Sequence, residues 1–383
     1  MPVKSERYFE DFASFGKKIW FNAASEGPLA LNAKREVEEA VEWKSKPYEL
    51  TLTRFALVPT ELKKSIARLI GVDEKDVILG NSASYGLHIL ANGLSWQKGD
   101  EILVMQNDFP VNILPWLGLQ KSGVVVRQIK VKSKVLALEE LLANITAKTK
   151  LFCISHVHTF TGYVLDIEKF GEICKDKGII FVVNVSQSAG TMPIDISKIL
   201  ADAVVCAGYK WLCGPYATGF FWMKPVLRES LDYNQAYWTV FCSEKDLVGE
   251  DALTLAEIKT SRKYDVFGTA NFFNFKPFKA AIDYWLNLGL ERVRAYHDRL
   301  IDKIINDLDK TEFSLISPKK GRRRSSLLVF SYKDKAKNKV IHRRLIEEGI
   351  YTALWKGNLR VSPHVYNTLE EVDRFIEILN SLI

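Results

Sequence analysis

Lys210 stands in the stretch Ala207-Gly208-Tyr209-Lys210-Trp211-Leu212-Cys213-Gly214-Pro215, between the apolar runs Ala203 to Cys206 and Gly219 to Trp222. Burying an ammonium among apolar and aromatic side chains is costly, so such a lysine is paired, snorkels to water or has a lowered pKa. A neutral amine there is a nucleophile. Upstream, the apolar run Ile179 to Val183 ends in Asn184-Val185-Ser186-Gln187, which places two amide side chains at the carboxyl end of a strand. Open α/β sheets bind ligands at that edge, although the same residues could simply close the strand with a polar loop.

The elements that would position these residues follow from alternation. Short β-rich runs at Val77 to Leu79, Glu101 to Met105, Val124 to Ile129, Leu151 to Ser155, Ile179 to Val183 and Ala203 to Cys206 are interleaved with segments of helical period. That order is the signature of βαβ units in a buried, mainly parallel sheet. Predicted helices run from about Thr60 to Ile70, Leu87 to Leu94 and Ile167 to Lys177, the first and last stopped by Gly71 and Gly178. After Gly268 the pattern predicts one long helix from Pro277 to Leu308, a strand near Leu327 to Ser331 and a helix over Lys339 to Glu348. A last strand near Asn358 to Ser362 then leads to a capped helix over Thr368 to Leu382. The expected fold is α/β, with a large central-sheet domain and a smaller α+β C-terminal domain. The boundaries expected are 1–30 for a segment joining the small domain, 31–270 for the large domain and 271–383 for the small one.

The chain of 383 residues is long enough for such a core, and it carries a formal charge of +7 with both signs interspersed. No nucleic-acid partner is expected from that distribution. The basic run Lys319 to Arg324 reads as a solvated loop entering a strand. Five cysteines, Cys153, Cys174, Cys206, Cys213 and Cys242, form no C-x-x-C pair, so neither a disulfide framework nor a zinc site is expected. That cysteine usage points to a reduced cytoplasm, and the charged start and the lack of a membrane-length apolar stretch to a soluble protein.

Together these residues resemble the class V aminotransferase family, fold type I pyridoxal-phosphate enzymes that include cysteine desulfurases, selenocysteine lyases, kynureninases and isopenicillin N epimerase-like proteins. The resemblance extends from Ile19-Trp20-Phe21-Asn22-Ala23-Ala24 to Arg360-Val361-Ser362-Pro363-His364-Val365-Tyr366-Asn367-Thr368. The family pattern D-x-x-Q, strand, S/A-x-H/Y-K appears as Asn184, Gln187, Ala207, Tyr209 and Lys210. It implies pyridoxal 5'-phosphate carried as an internal aldimine on the catalytic Lys210. Asn184, Gln187 and Tyr209 would be cofactor-binding residues. By the same resemblance Ala83 and Ser84 would cradle the phosphate at a helix start, Phe109 would stack on the pyridine ring and Thr159 would approach its phenolic oxygen. Gly268-Thr269-Ala270-Asn271 resembles a turn that reaches a neighbouring subunit's phosphate, which implies a homodimer with shared active sites and a contact from Thr269. Arg360 matches the arginine that grips a substrate carboxylate.

Three departures narrow the reading. Asn184 stands where the family has aspartate, so the ring nitrogen loses its usual charged partner. Phe109 and Thr159 stand where desulfurases have histidine and asparagine. The residues between Gly349 and Arg360 include no cysteine, whereas persulfide-forming desulfurases need one on a mobile loop there; Cys213 reads as packing. The expected function is a lyase acting on an amino acid or amino-acid-like metabolite through an external aldimine, by carbon–sulfur or other β-cleavage. An epimerase, an aminotransferase or a weakly catalytic cofactor-binding protein is the alternative. Tyr237 and Trp238 read either as pocket walls or as ordinary packing. No membrane partner and no metal are expected.

Overall fold

The computed structural model describes residues 8–258, 260–268 and 270–382. A short strand β1 (Ile19–Trp20) and helices α1 (Leu31–Ser45) and α2 (Leu52–Ile70) precede the central elements. These are β2 (Val77–Gly80), α3 (Ala83–Gly93), β3 (Glu101–Met105), β4 (Val125–Ile129), β5 (Thr149–Ser155), α4 (Ile167–Lys177), β6 (Ile180–Asn184), β7 (Ala203–Ala207) and β8 (Gly219–Met223). Strands β2 to β8 form one seven-stranded sheet in the order β2-β8-β7-β6-β5-β3-β4. All its pairings are parallel except those of β8, which runs against both β2 and β7. Strands β2, β7 and β8 are buried along their whole length, as continuous apolar runs inside a layered α/β fold should be. The pairing of Ser155 with Asn184 and of Asn184 with Val205 brings the carboxyl ends of β5, β6 and β7 side by side. The loops leaving those ends carry most of the candidate residues.

Beyond residue 270, helices α5 (Phe272–Leu288) and α6 (Leu290–Asp307) lead into β9 (Phe313–Leu315), β10 (Leu328–Tyr332), α7 (Asn338–Glu347), β11 (Ile350–Tyr351), β12 (Ala353–Trp355), β13 (Asn358–Val361) and α8 (Leu369–Ser381). Four of the strands make an antiparallel sheet ordered β12-β13-β10-β9, while β11 takes β1 as a parallel partner, Ile19 against Ile350. The amino-terminal strand is thereby tied to the carboxyl-terminal part of the chain. Helix α8 opens on a capping box: Thr368 Oγ1 accepts from the Glu371 N–H at 3.3 Å, and the Glu371 carboxylate accepts from the Thr368 N–H at 3.2 Å. Thr368→Ala is expected to cost about 1 kcal/mol, read as a lowered denaturant midpoint with an unchanged slope.

Several elements differ from the sequence expectation. The single helix expected from Pro277 to Leu308 is two, because Gly289 adopts φ 84°, a left-handed conformation that ends α5 and turns the chain into α6. Helix α2 starts at Leu52, not near Thr60. Thr51 caps it by accepting from the Arg54 N–H, and the helix runs through Pro59 into its buried part, Leu62 to Ile70. Helix α3 begins four residues earlier than its apolar period suggests, at Ala83. In the basic run, Lys319, Lys320, Arg322 and Arg323 are exposed as expected. Arg324 is instead buried and paired with Asp298 at 2.7 Å and with Asp302. Among the described residues, no helix is long and apolar enough to cross a membrane and no group of His, Cys, Asp and Glu could hold a metal ion.

Candidate active site

Lys210 lies on the loop that follows β7 and is 8 % exposed. Its Nζ sits 5.0 Å from the centroid of the Phe109 ring, so the amine and the aromatic plane face one another. Burial brings its pKa down to about 8, the nearby Arg360 charge pushes the same way, and Cys206 and Glu26 oppose them. The loop is held from both sides. Trp211 Nε1 donates to Gln187 Oε1 at 2.7 Å, and the Trp211 carbonyl accepts from His364 Nε2 at 2.9 Å. His364 is stacked on Trp285, with 4.6 Å between centroids, and burial keeps it neutral with a pKa of about 4.

Arg360, at the register position opposite Val329 and Ala353, is 2 % exposed. Its NH1 donates to Thr159 Oγ1 at 2.9 Å, and its NH2 donates to Ser25 Oγ at 2.6 Å and to Asn22 Oδ1 at 3.3 Å. Every one of these partners is neutral. Its Nε finds no partner, and among the described residues no carboxylate lies within ion-pair distance. The strand-end salt bridge that could have explained this arginine is absent there. Burial draws its pKa down to about 10. A buried guanidinium without an anion is an expensive arrangement that a bound carboxylate would relieve.

Thr159 connects Arg360 to Gln187, since its Oγ1 also accepts from Gln187 Nε2 at 3.3 Å. Gln187 Nε2 donates as well to the Ala24 carbonyl at 3.0 Å, which ties the amino-terminal turn to this loop. Phe109 is half-buried and tilted against Phe160, whose ring lies 6.0 Å from Trp355; the Arg360 guanidinium in turn lies 5.7 Å from Trp355. Asn184, at the end of β6, donates from Nδ2 to Asn112 Oδ1 at 2.9 Å and accepts from the Ser186 N–H at 3.0 Å. Tyr209 turns its ring onto Tyr216, with 4.7 Å between centroids, and its carbonyl accepts from the Gly27 N–H.

Ala83 and Ser84 open α3, and Ser82, at the cap position, makes no side-chain bond to the first turn. The Ala83 and Ser84 N–H groups are left for another acceptor, and a helix start favours an anion there. Thr269 lies outside the described residues. Beside it, Gly268 has φ 74° and donates its N–H to the Tyr237 hydroxyl at 3.0 Å, while Asn271 caps α5 without a side-chain bond. Tyr237 packs on Phe267 and Trp238 is exposed.

The grip of Asn22 and Ser25 on Arg360 was not anticipated from sequence, nor was Glu26. Burial raises the Glu26 carboxyl to about 7, and the Lys210 charge pulls it partly back. A Cβ on Gly27 would run into the Lys210 carbonyl, so only glycine lets this turn approach so closely. The available signal was the run Asn22-Ala23-Ala24-Ser25-Glu26-Gly27, polar residues among small ones directly after a strand.

These groups suit pyridoxal 5'-phosphate: an amine of lowered pKa beside an aromatic plane, an uncapped helix start for a phosphate and an amide at a strand end for a ring nitrogen. The comparisons with known proteins agree. A probable cysteine desulfurase of Pyrococcus abyssi is 26% identical over 344 residues, covering 84% of this chain and 82% of that protein. The isopenicillin N epimerase of Streptomyces clavuligerus is 24% identical over 373 residues, covering 94% of each. A solved structure of a cystine C–S lyase with its reaction product cysteine persulfide superposes with a TM-score of 0.85 at 19% identity, covering 94% of this chain and 97% of that one. The family model described as Aminotransferase class-V matches residues 52–375. This chain therefore belongs to the class V aminotransferase family, has the fold type I architecture and is an enzyme whose cofactor is pyridoxal 5'-phosphate.

Proposed function

We propose that the enzyme is a lyase that cleaves a bond at the β-carbon of an amino-acid substrate, a carbon–sulfur bond in the first instance, without a persulfide-carrying cysteine. The observation that carries the amino-acid part is Arg360, a buried guanidinium whose three hydrogen-bond partners are all neutral and whose Nε is open. When bound, pyridoxal 5'-phosphate supplies an aldehyde that condenses with amines and a ring that draws electrons from bonds at the substrate's α-carbon. Lys210 is the amine that holds it and, once released, a base and acid beside the reacting carbon. Arg360 fixes the substrate carboxylate, Phe109 gives the ring an apolar face, and Ala83 and Ser84 offer N–H groups to the phosphate. Gln187 and Thr159 line the phenolic side, Asn184 faces the ring nitrogen, and Tyr209 braces the lysine loop.

The absence of sulfur relay rests on the cysteines. Residues 350–359, which include β11 and β12, contain none. Cys153, Cys174, Cys206 and Cys213 are buried, and burial pushes each thiol far above its usual range. Cys213 fills space beneath Gly27, in keeping with packing. Only Cys242 is partly exposed. The name of the structurally similar cystine C–S lyase supports the same reaction class.

Cysteine, cystine and thioether conjugates are the substrates to screen, with release of a keto acid and a sulfur product as the readout. Cys242→Ser and Cys213→Ala are each expected to keep turnover within about threefold, with no persulfide on the protein by mass spectrometry. Loss of sulfur release in either variant, or a persulfide on the chain, would reject the cysteine-free route. Inversion at the α-carbon without elimination would place the enzyme with the epimerases. The proposal includes a cytoplasmic homodimer with Thr269 reaching the partner's phosphate site, for which sedimentation and a Thr269→Ala loss of cofactor affinity are the tests.

A further inference from the structure

Asp108 is a buried carboxylate, 3 % exposed, with no cation within ion-pair distance among the described residues. Its Oδ2 accepts from Asn112 Nδ2 at 2.9 Å and from the Ser155 N–H at 2.9 Å. Its Oδ1 accepts from the Ser155 hydroxyl at 2.7 Å and the Phe109 N–H at 2.7 Å. Asn112, fully buried, passes the chain on: its Oδ1 accepts from Asn184 Nδ2, while Asn184 Oδ1 accepts from the Ser186 N–H.

The direction of this chain is pinned at both ends. An ionised carboxylate only accepts, so Asn112 must turn its NH2 toward Asp108 and its carbonyl toward Asn184. A backbone N–H only donates, so Asn184 must keep its carbonyl toward Ser186 and its NH2 toward Asn112. Neither amide can flip without setting two donors or two acceptors against each other. Hydrogen bonds in series polarise one another, so the Asp108 charge pushes electron density along both amides onto Asn184 Oδ1, which retains one free lone pair. Of the titratable groups packed nearby, burial holds the Cys153 thiol protonated and His156 uncharged, with a pKa of about 4, and His158 spends its ring nitrogens on the Asn107 carbonyl and the Thr161 hydroxyl.

We propose that Asp108, acting through Asn112, is the displaced counter-charge of this site, and that the relay makes Asn184 an acceptor for the protonated ring nitrogen while excluding an ionised aspartate at position 184. Asp108 and Asn112 are positioning residues here. The inference rests on the reading that Asn184 faces that nitrogen.

Apoprotein reconstituted with cofactor labelled with 15N at the ring nitrogen gives the test, through the nitrogen's chemical shift as a function of pH. The wild type is expected to hold the proton, and Asp108→Asn and Asn112→Leu to lower its midpoint by about one unit or more. Asn184→Ala is the control. If that variant leaves the shift unmoved, the assignment of Asn184 to the nitrogen fails. If it moves the shift but neither relay variant does, the relay alone fails.

A cofactor-free arm covers misfolding of Asp108→Asn. In Asn184→Asp a carboxylate would meet the Asn112 carbonyl lone pair against lone pair, so its folded-state pKa is raised and the folded state binds more protons than the unfolded one. The apoprotein's Tm should then fall, relative to wild type, as pH rises from 5 to 8. Parallel pH dependences for the two proteins would overturn the assigned direction.

Discussion

Lys210→Ala is expected to abolish attachment of the cofactor and to lower turnover by at least roughly 10²–10⁴-fold, the range usual for loss of a positioned acid–base group. Reduction with borohydride followed by peptide mass spectrometry checks it: a pyridoxyl adduct should appear on Lys210 in the wild type and on no residue in the variant. Lys210→Arg should fail equally, because it restores charge but not a nucleophilic amine. The lowered pKa adds a pH signature. Below its value of about 8 the amine is protonated and inert, so uptake of the cofactor by the apoprotein should accelerate as pH rises and level off above that point. A pH-independent uptake rate, or an adduct on another lysine, would contradict the assignment.

The second large effect is at Arg360. Truncating one partner of a buried charge pair typically costs about 2–5 kcal/mol, which corresponds to a loss of roughly 30-fold to several-thousand-fold in kcat/KM for Arg360→Met. Arg360→Lys should recover little, since an ammonium cannot reproduce the planar fork that Thr159, Asn22 and Ser25 hold in place. Without substrate the sign reverses. The guanidinium is desolvated and has no anion, so the Arg360→Met apoprotein should melt no lower than wild type, and a small gain is the expected direction. Activity and thermal melts on the same two samples decide it; a variant that loses both would make Arg360 a structural residue.

What the sequence made legible was local. The alternation placed six of the seven strands of the large sheet to within about two residues, β8 having been read only as an apolar run, and the helix over Ile167–Lys177 was bounded correctly because Gly178 adopts the left-handed cap it needs. Helix starts fared worse. Apolar period weakens in a first turn whose side chains face a site or solvent, so Ala83 to Gly86 read as a loop and residues 52–59 were hidden behind Pro59. The break at Gly289 was missed because the amphipathic pattern continues across it with little change of phase.

The motif around Lys210 and the matching Arg360 were readable because each is fixed by a neighbouring strand. Their environment was not. Arg360 is held by Asn22 and Ser25, which are 338 and 335 residues away in sequence, and the Asp108–Asn112–Asn184 chain joins the segment after β3 to the end of β6. Nothing in local propensity encodes such pairings. Asn184 looked like a weakened aspartate when read alone; its bonds to Asn112 and to the Ser186 N–H were not visible in the sequence.

The pairing of the first strand with residues near the other terminus has a consequence for biosynthesis. Residues 19–27 leave the ribosome long before their partners, Ile350, Tyr351, Arg360 and Ser362, are made. During translation the leading segment must wait, unpaired, while more than three hundred residues are added. A nascent chain that has not yet reached residue 350 lacks both the strand that pairs with Ile19 and Trp20 and the guanidinium that Asn22 and Ser25 hold, so its amino-terminal turn has nothing to close on.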